Sequence, residues 1–239
     1  MTEPDPVLTK MKSLLIDWES NGDRRLVFLS CYEMMTQNIL TAIATNDFED
    51  TAWVNRLMNN FADLYFQALA AYENEQTHPP AAWKIAFNAA QHPHTHVLQN
   101  LVLGVNAHIN YDLVFALSGI LAPEWQQLSI EQRQMRYRDH CHVNDIIYHT
   151  VNAVQDQVID RYAPEFGMVD KLLGPLDEWM TSLLIADWRE EVWKHAIQIL
   201  DSAEDSQRQK VLDHVEQTAM ERARDILGRG GLIDMIDFL

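Results

Sequence analysis

Residues 104–117, GVNAHINYDLVFAL, place a histidine and an aspartate four apart inside an otherwise apolar run. At about 100° per residue, His108 and Asp112 fall within about 40° of one another on a helix. Leu101, Val105, Phe115, Ala116 and Gly119 share their face, while Asn106 and Asn110 project from the other side, near Leu113 and Val114. A helix apolar nearly all round belongs at the centre of a fold, and an aspartate there needs a partner. Two arrangements supply one. His108 and Asp112 can present a nitrogen and an oxygen to one divalent ion. Alternatively, His108 donates to Asp112 and the asparagines satisfy neighbouring backbone or loops.

A second set lies on residues 138–156. With His142 as origin, Arg138, Asp145, His149, Asn152 and Asp156 fall within about 80° of arc. Val143, Ile147, Val151, Val154 and Val158 take the opposite, core-facing side. One reading is a solvated face. The other turns His142, Asp145 or His149 toward His108 and Asp112 across a helix–helix groove, as metal sites in bundles are built. A zinc, manganese or iron ion held there would lower the pKa of a bound water and keep an open position for it. Asp187 or Glu190 would then take the proton as general base, and Asn110 would orient substrate or a ligand.

Other candidates carry less. His96 and His108 lie 12 residues apart, about 18 Å along one helix axis, so HPHTH at 92–96 reads mainly as a capping turn. In LLIADWREEVWKHAIQIL the residues Leu184, Trp188, Val192 and Ile199 form a core stripe, with Asp187, Arg189, Glu190 and Trp193 off it. Arg189 and Trp193 are spaced for a cation–π stack, or the group is a surface ion-pair cluster. Asp63, flanked by core residues, is a further candidate for the same centre. There is no G-x-S-x-G elbow, no cysteine with a recognisable signature, and no strand before the GRGG at 228–231 to make a phosphate loop.

Helices must position these groups. Apolar spacing of 3–4 predicts helices over 7–20, from Asp23 to about 45, and over 49–75, 81–91 and 96–120. Further helices are predicted over 130–161, 176–201 and 205–228. Asp23 and Thr95 are candidate caps, and Ser129 with Gln132 resembles a capping box. Residues 162–175 read as a loop, and Gly228 to Gly231 break the chain before a final short segment. No segment reads as a strand and no linker divides the chain. The expectation is one all-α domain over 1–239, a bundle of about seven to nine helices.

The net charge of −17, from 35 acidic and 18 basic residues, argues against a nucleic-acid partner and against anionic membranes. Cys31 and Cys141 form no disulfide framework or thiolate zinc site, which suits a reducing cytoplasm. The first residues lack the pattern of a secretory signal. No apolar run is expected to approach the roughly 20 residues of a membrane helix. The expected partner is an unknown small-molecule substrate or ligand.

LVLGVNAHINYDLVFAL, DRYAPEFGMVDKLLGPLDEW and REEVWKHA resemble an uncharacterised family of helical proteins, a domain of unknown function, over most of residues 20–200. The N-A-H-I-N-x-D-L core is the most specific part. The resemblance implies a signature of Asn106, His108, Asn110 and Asp112, and a secondary one of Arg189, Glu190 and Trp193. It implies no activity. A weaker likeness is to zinc-dependent phospholipase C-type helical hydrolases, also all-α and built on a His-x-x-x-Asp helix. Those enzymes are secreted and use a mature N-terminal tryptophan as a ligand, and this sequence has neither feature, so no residue is carried over. The expected function is a metal-dependent hydrolase of an ester or phosphoester, with His108, Asp112, His142, Asp145 and His149 as metal ligands. The alternative is a non-enzymatic scaffold or small-ligand-binding bundle whose His/Asp/Asn network is structural.

Overall fold

The computed structural model describes residues 5–74, 77–162 and 184–228, apart from the side chains of residues 152, 155 and 160. Helix α1 (Pro6–Asn21) opens on Asp5, whose carboxylate accepts from the Val7 and Leu8 N–H groups at 2.9 and 3.2 Å. It closes at Gly22, whose φ of 68° is the left-handed conformation that glycine tolerates. Helix α2 (Leu26–Ala44) begins later than the sequence suggests. The Asp23 carboxylate accepts from the Arg25 backbone N–H and side chain, holding a short turn ahead of the helix. Helix α3 (Thr51–Glu73) is capped by Asp50, and its first turn is pinned from outside. Asp139 accepts the Glu49 and Asp50 N–H groups, both at 2.8 Å.

Helices α4 (Ala81–Gln91) and α5 (Val97–Leu121) follow. The cap of α5 is His96 rather than Thr95: its ring accepts from the Leu98 N–H while Gln99 reaches back to the His96 N–H. A ring nitrogen at that position does what the shorter hydroxyl was expected to do. Helix α6 (Ile130–Val154) starts at the expected Ser129–Gln132 capping box and continues through a wide turn at Gln155–Ile159 to Tyr162. Helices α7 (Leu184–Asp201) and α8 (Asp205–Gly228) complete the described chain. No strand occurs among the described residues, and the fold is an all-α bundle. The predicted start of the α7 helix at 176, the 163–175 part of the loop and the segment after Gly228 lie outside the described residues.

Helix α5 runs through the middle and packs against α2, α3, α4, α7 and α8. By length and composition it could cross a membrane, with mean hydropathy 1.2 over its most apolar stretch, yet 78% of that stretch is buried inside the fold. The sequence reading underrated this run because four polar residues, Asn106 to Asp112, interrupt it. Three of them, His108, Asn110 and Asp112, sit on one segment, Ala107–Asp112, that widens into a π-helix, with Asn106 just before it. Widened turns of this kind frequently mark functional sites. Just before it, Gly104 lets α5 close on α2: a Cβ there would stand 2.4 Å from the Phe28 ring.

Two apolar clusters flank α5. One gathers Trp83, Tyr65, Leu101 and the start of α2. The other gathers Trp53, Leu117, Trp125 and the inner faces of α6 and α7. Val143, Ile147, Val151, Val154 and Val158 of α6 are all buried, as their spacing predicts.

Candidate functional site

The π-helical turn sets His108 and Asp112 side by side in the core, 3% and 2% exposed. His108 Nδ1 lies 3.0 Å from Asp112 Oδ2, and the same oxygen accepts the Trp83 indole N–H at 2.8 Å. Oδ2 thus lies between an indole N–H and the ring nitrogen: either Nδ1–H donates to it or, with the neutral Asp112 protonated at Oδ2, Nδ1 accepts and the ring N–H sits on Nε2. Phe61 of α3 stacks on the imidazole with ring centroids 3.5 Å apart and planes 7° from parallel. Tyr32 of α2 stands edge-on at 4.3 Å. The ring is therefore clamped on its face, its edge and one nitrogen. Burial pushes the His108 pKa well down and the Asp112 pKa well up, each toward its neutral form.

The remaining nitrogen, Nε2, is buried and has no hydrogen-bond partner among the described residues. A buried polar atom left so typically costs about 1–3 kcal/mol, and such atoms in a folded protein call for an explanation. His108 faces a cavity of about 110 Å³. Its walls are apolar, with Phe28, Met35, Leu57, Met58, Phe61 and Ile147 prominent. The Tyr32 hydroxyl, on a residue that also lines the cavity, is likewise buried without a partner. The Cys31 thiol at the wall is pushed up to about 12 by burial. The Thr36 hydroxyl donates to the Tyr32 carbonyl at 2.8 Å.

Arg189 of α7 also lines this cavity and is only 5% exposed. Its Nε donates to Asn144 Oδ1 at 2.6 Å and one terminal nitrogen donates to the His140 carbonyl at 2.7 Å. Burial lowers its pKa to about 10. His140 is buried beside it, with Nε2 3.1 Å from the Arg189 carbonyl; burial first, then the guanidinium charge, push the His140 pKa well down. Arg189 is not stacked on Trp193, whose ring packs against Tyr137 and His140 instead. Nor does it join a surface ion-pair cluster. The sequence does carry the signal: Ile185, Arg189, Val192 and Ala196 recur at helical spacing, and all are buried.

The five predicted metal ligands do not converge on one centre: His108 and Asp112 pair in the core, His142 and Asp145 at the surface. Among the described residues, no three histidine, cysteine or acidic side chains are grouped to hold an ion. His142 bonds Asp145 through Nδ1 and Asp47 through Nε2, both at 3.1 Å, at the protein surface. Asp145 and His149 are exposed, so the α6 polar stripe is a solvated face rather than one turned to His108. The groups expected to act as bases are dispersed too. Asp187 is exposed, while Glu190 accepts from the Tyr137 hydroxyl at 2.8 Å and pairs with Lys194. Asp63 and the His92 and His94 side chains are exposed.

Asn106 and Asn110 turn away from the cavity. Asn106 donates to the Ala219 carbonyl at 2.8 Å and accepts from Asn110 at 2.9 Å. Asn110 accepts from Arg222 at 2.8 Å, and Arg222 pairs with Glu191. This chain ties the π-helical turn to α8, and it uses the Asn110 oxygen that substrate orientation would require. Trp83, which completes the Asp112 environment, was not singled out by the sequence reading. Its partner is 29 residues away on another helix, a relation that no local spacing reveals.

The model of a family of unknown function, DUF5995, matches residues 5–229, and the chain belongs to that family. No curated protein and no solved structure matches.

Proposed function

We propose that this member of a family of unknown function binds a small, largely apolar molecule in the core cavity and accepts one hydrogen bond from it. The observation that carries the reading is His108 Nε2, buried and unpartnered on a residue that lines an apolar space. In this reading Oδ2 accepts from Nδ1–H, the proton of the neutral Asp112 sitting on its other oxygen, which leaves Nε2 an acceptor. Phe61 and Tyr32 keep the ring from rotating toward another partner. A ligand hydroxyl or N–H would relieve the buried acceptor, while a ligand lacking one would leave it unsatisfied. Sites built this way discriminate strongly by hydrogen bonding. A cavity near 110 Å³ suits roughly one ring or a short branched chain, and Met35 and Met58 give it room to adapt.

A metal-dependent hydrolase would need a third ligand beside His108 and Asp112, which the described residues do not supply. Covalent hydrolysis would need a nucleophile at the wall, yet the Cys31 thiol is held protonated and the Thr36 hydroxyl is committed to backbone. The binding reading uses the groups as they stand.

The test is calorimetric titration with phenol and with its methyl ether anisole, which has no donor. The expected result is phenol binding at least about tenfold tighter to the native chain, with the preference erased in His108→Phe. Equal affinity of the two for the native chain, or no binding of either, contradicts the reading.

A further inference from the structure

We infer that the ligand of this cavity is an apolar carboxylic acid whose carboxylate pairs with Arg189; this rests on the reading that the cavity binds a ligand at all. Arg189 is the feature that the binding of a neutral molecule leaves unexplained. The residue is 95% buried, and among the described residues no acidic side chain pairs with it. Its polar partners are the Asn144 amide oxygen, the His140 carbonyl and, at 3.4 Å, the His140 ring. Its Nη1 makes no hydrogen bond among the described residues.

Two other shielded arginines are treated differently. Arg136, also buried, is paired with Asp50 and Glu124. Arg25 is paired with Asp23 and Glu73. In a chain with 35 acidic and 18 basic residues, a carboxylate for Arg189 would be easy to place. The two neighbouring glutamates are committed elsewhere, Glu190 to Tyr137 and Lys194, Glu191 to Arg222. A buried charge without its counter-charge is strongly unfavourable, and the planar guanidinium fork matches a carboxylate in two parallel bonds. Burial already lowers the Arg189 pKa to about 10, a direction that an incoming anion would reverse. Because Arg189 and His108 line the same apolar space, the ligand class that satisfies both is an apolar acid carrying a second polar group that donates to Nε2.

The experiment titrates the full chain with 4-hydroxybenzoate and 4-hydroxyphenylacetate, acids one and two carbons larger than phenol. Their neutral amides and phenol are run alongside. The inference expects at least one acid to bind about tenfold or more tighter than its amide. Arg189→Met should abolish that preference while phenol binding is retained. If both acids bind no better than their amides while phenol binds, the anion inference is overturned and the cavity reading survives. If phenol fails to bind the native chain, the cavity reading itself is overturned. Should Arg189→Met not fold, Arg189→Gln takes its place, and the acid–amide comparison on the native chain decides without either variant.

Discussion

The chain builds two histidine–carboxylate clusters from the same residue types, and burial makes them opposites. His108 and Asp112 sit among aromatic rings, where desolvation outweighs their attraction and pushes both toward neutrality. His142 stands at the surface beside Asp47 and Asp145. Desolvation opposes its protonation there too, but the two carboxylates outweigh it and raise the His142 pKa. The surface cluster is satisfied at both ring nitrogens and has nothing left to offer a ligand. The buried one is satisfied at one nitrogen and open at the other. Composition and spacing describe both clusters equally well; the environment decides which can recognise something.

The largest effect separating the two regions is expected from Asp112→Ala. It strips the Trp83 and His108 N–H groups of their shared acceptor in the core. Chemical denaturation should show a loss of about 3 kcal/mol or more, and a loss under about 1 kcal/mol would contradict a dry, closed dyad. Gly104→Ala tests how tightly α5 is seated: its Cβ would meet the Phe28 ring at 2.4 Å. The expected destabilisation is about 1–3 kcal/mol.

The pH dependence sharpens the same contrast on a single helix. His140, two residues before His142, is buried and its folded-state pKa is lowered. Below about pH 6.5 the unfolded chain takes up a proton that the folded chain refuses, so stability falls as the pH falls. The slope for this group approaches about 1.4 kcal/mol per pH unit, and His140→Gln should flatten an acid-denaturation curve. His142 has the reverse sign. Its raised folded-state pKa gives a stabilisation present below about pH 6.5 and lost as the pH rises through the folded value. Because the pair is partly exposed, the effect should stay under about 1 kcal/mol. His142→Gln should remove that alkaline decline in melting temperature. If it also weakens phenol binding, the separation of the two clusters is wrong.

Much of the architecture was legible because helices announce themselves locally. The Ser129–Gln132 box and the valine stripe of α6 both appear where spacing puts them. So does the pairing of His108 with Asp112, which needs only four residues of sequence and the knowledge that the helix is central. Convergence between helices was not legible. The proposed meeting of His142, Asp145 and His149 with His108 required a rotation of α6 that its valines forbid, since they already claim the inward face. Trp83 reaches Asp112 from α4, a matter of tertiary packing alone. Arg189 was misjudged for another reason: a charge is normally solvated. That expectation hid a position whose helical neighbours, Ile185, Val192 and Ala196, are all core residues.

The most direct test of the account is nitrogen-15 NMR of the His108 imidazole, recorded free and with phenol or anisole added. The account predicts a protonated Nδ1 and a bare Nε2 in the free protein, with the Nε2 resonance moving on addition of phenol and not of anisole. An Nε2 that is already protonated, or that ignores phenol while the protein is otherwise folded, would contradict it.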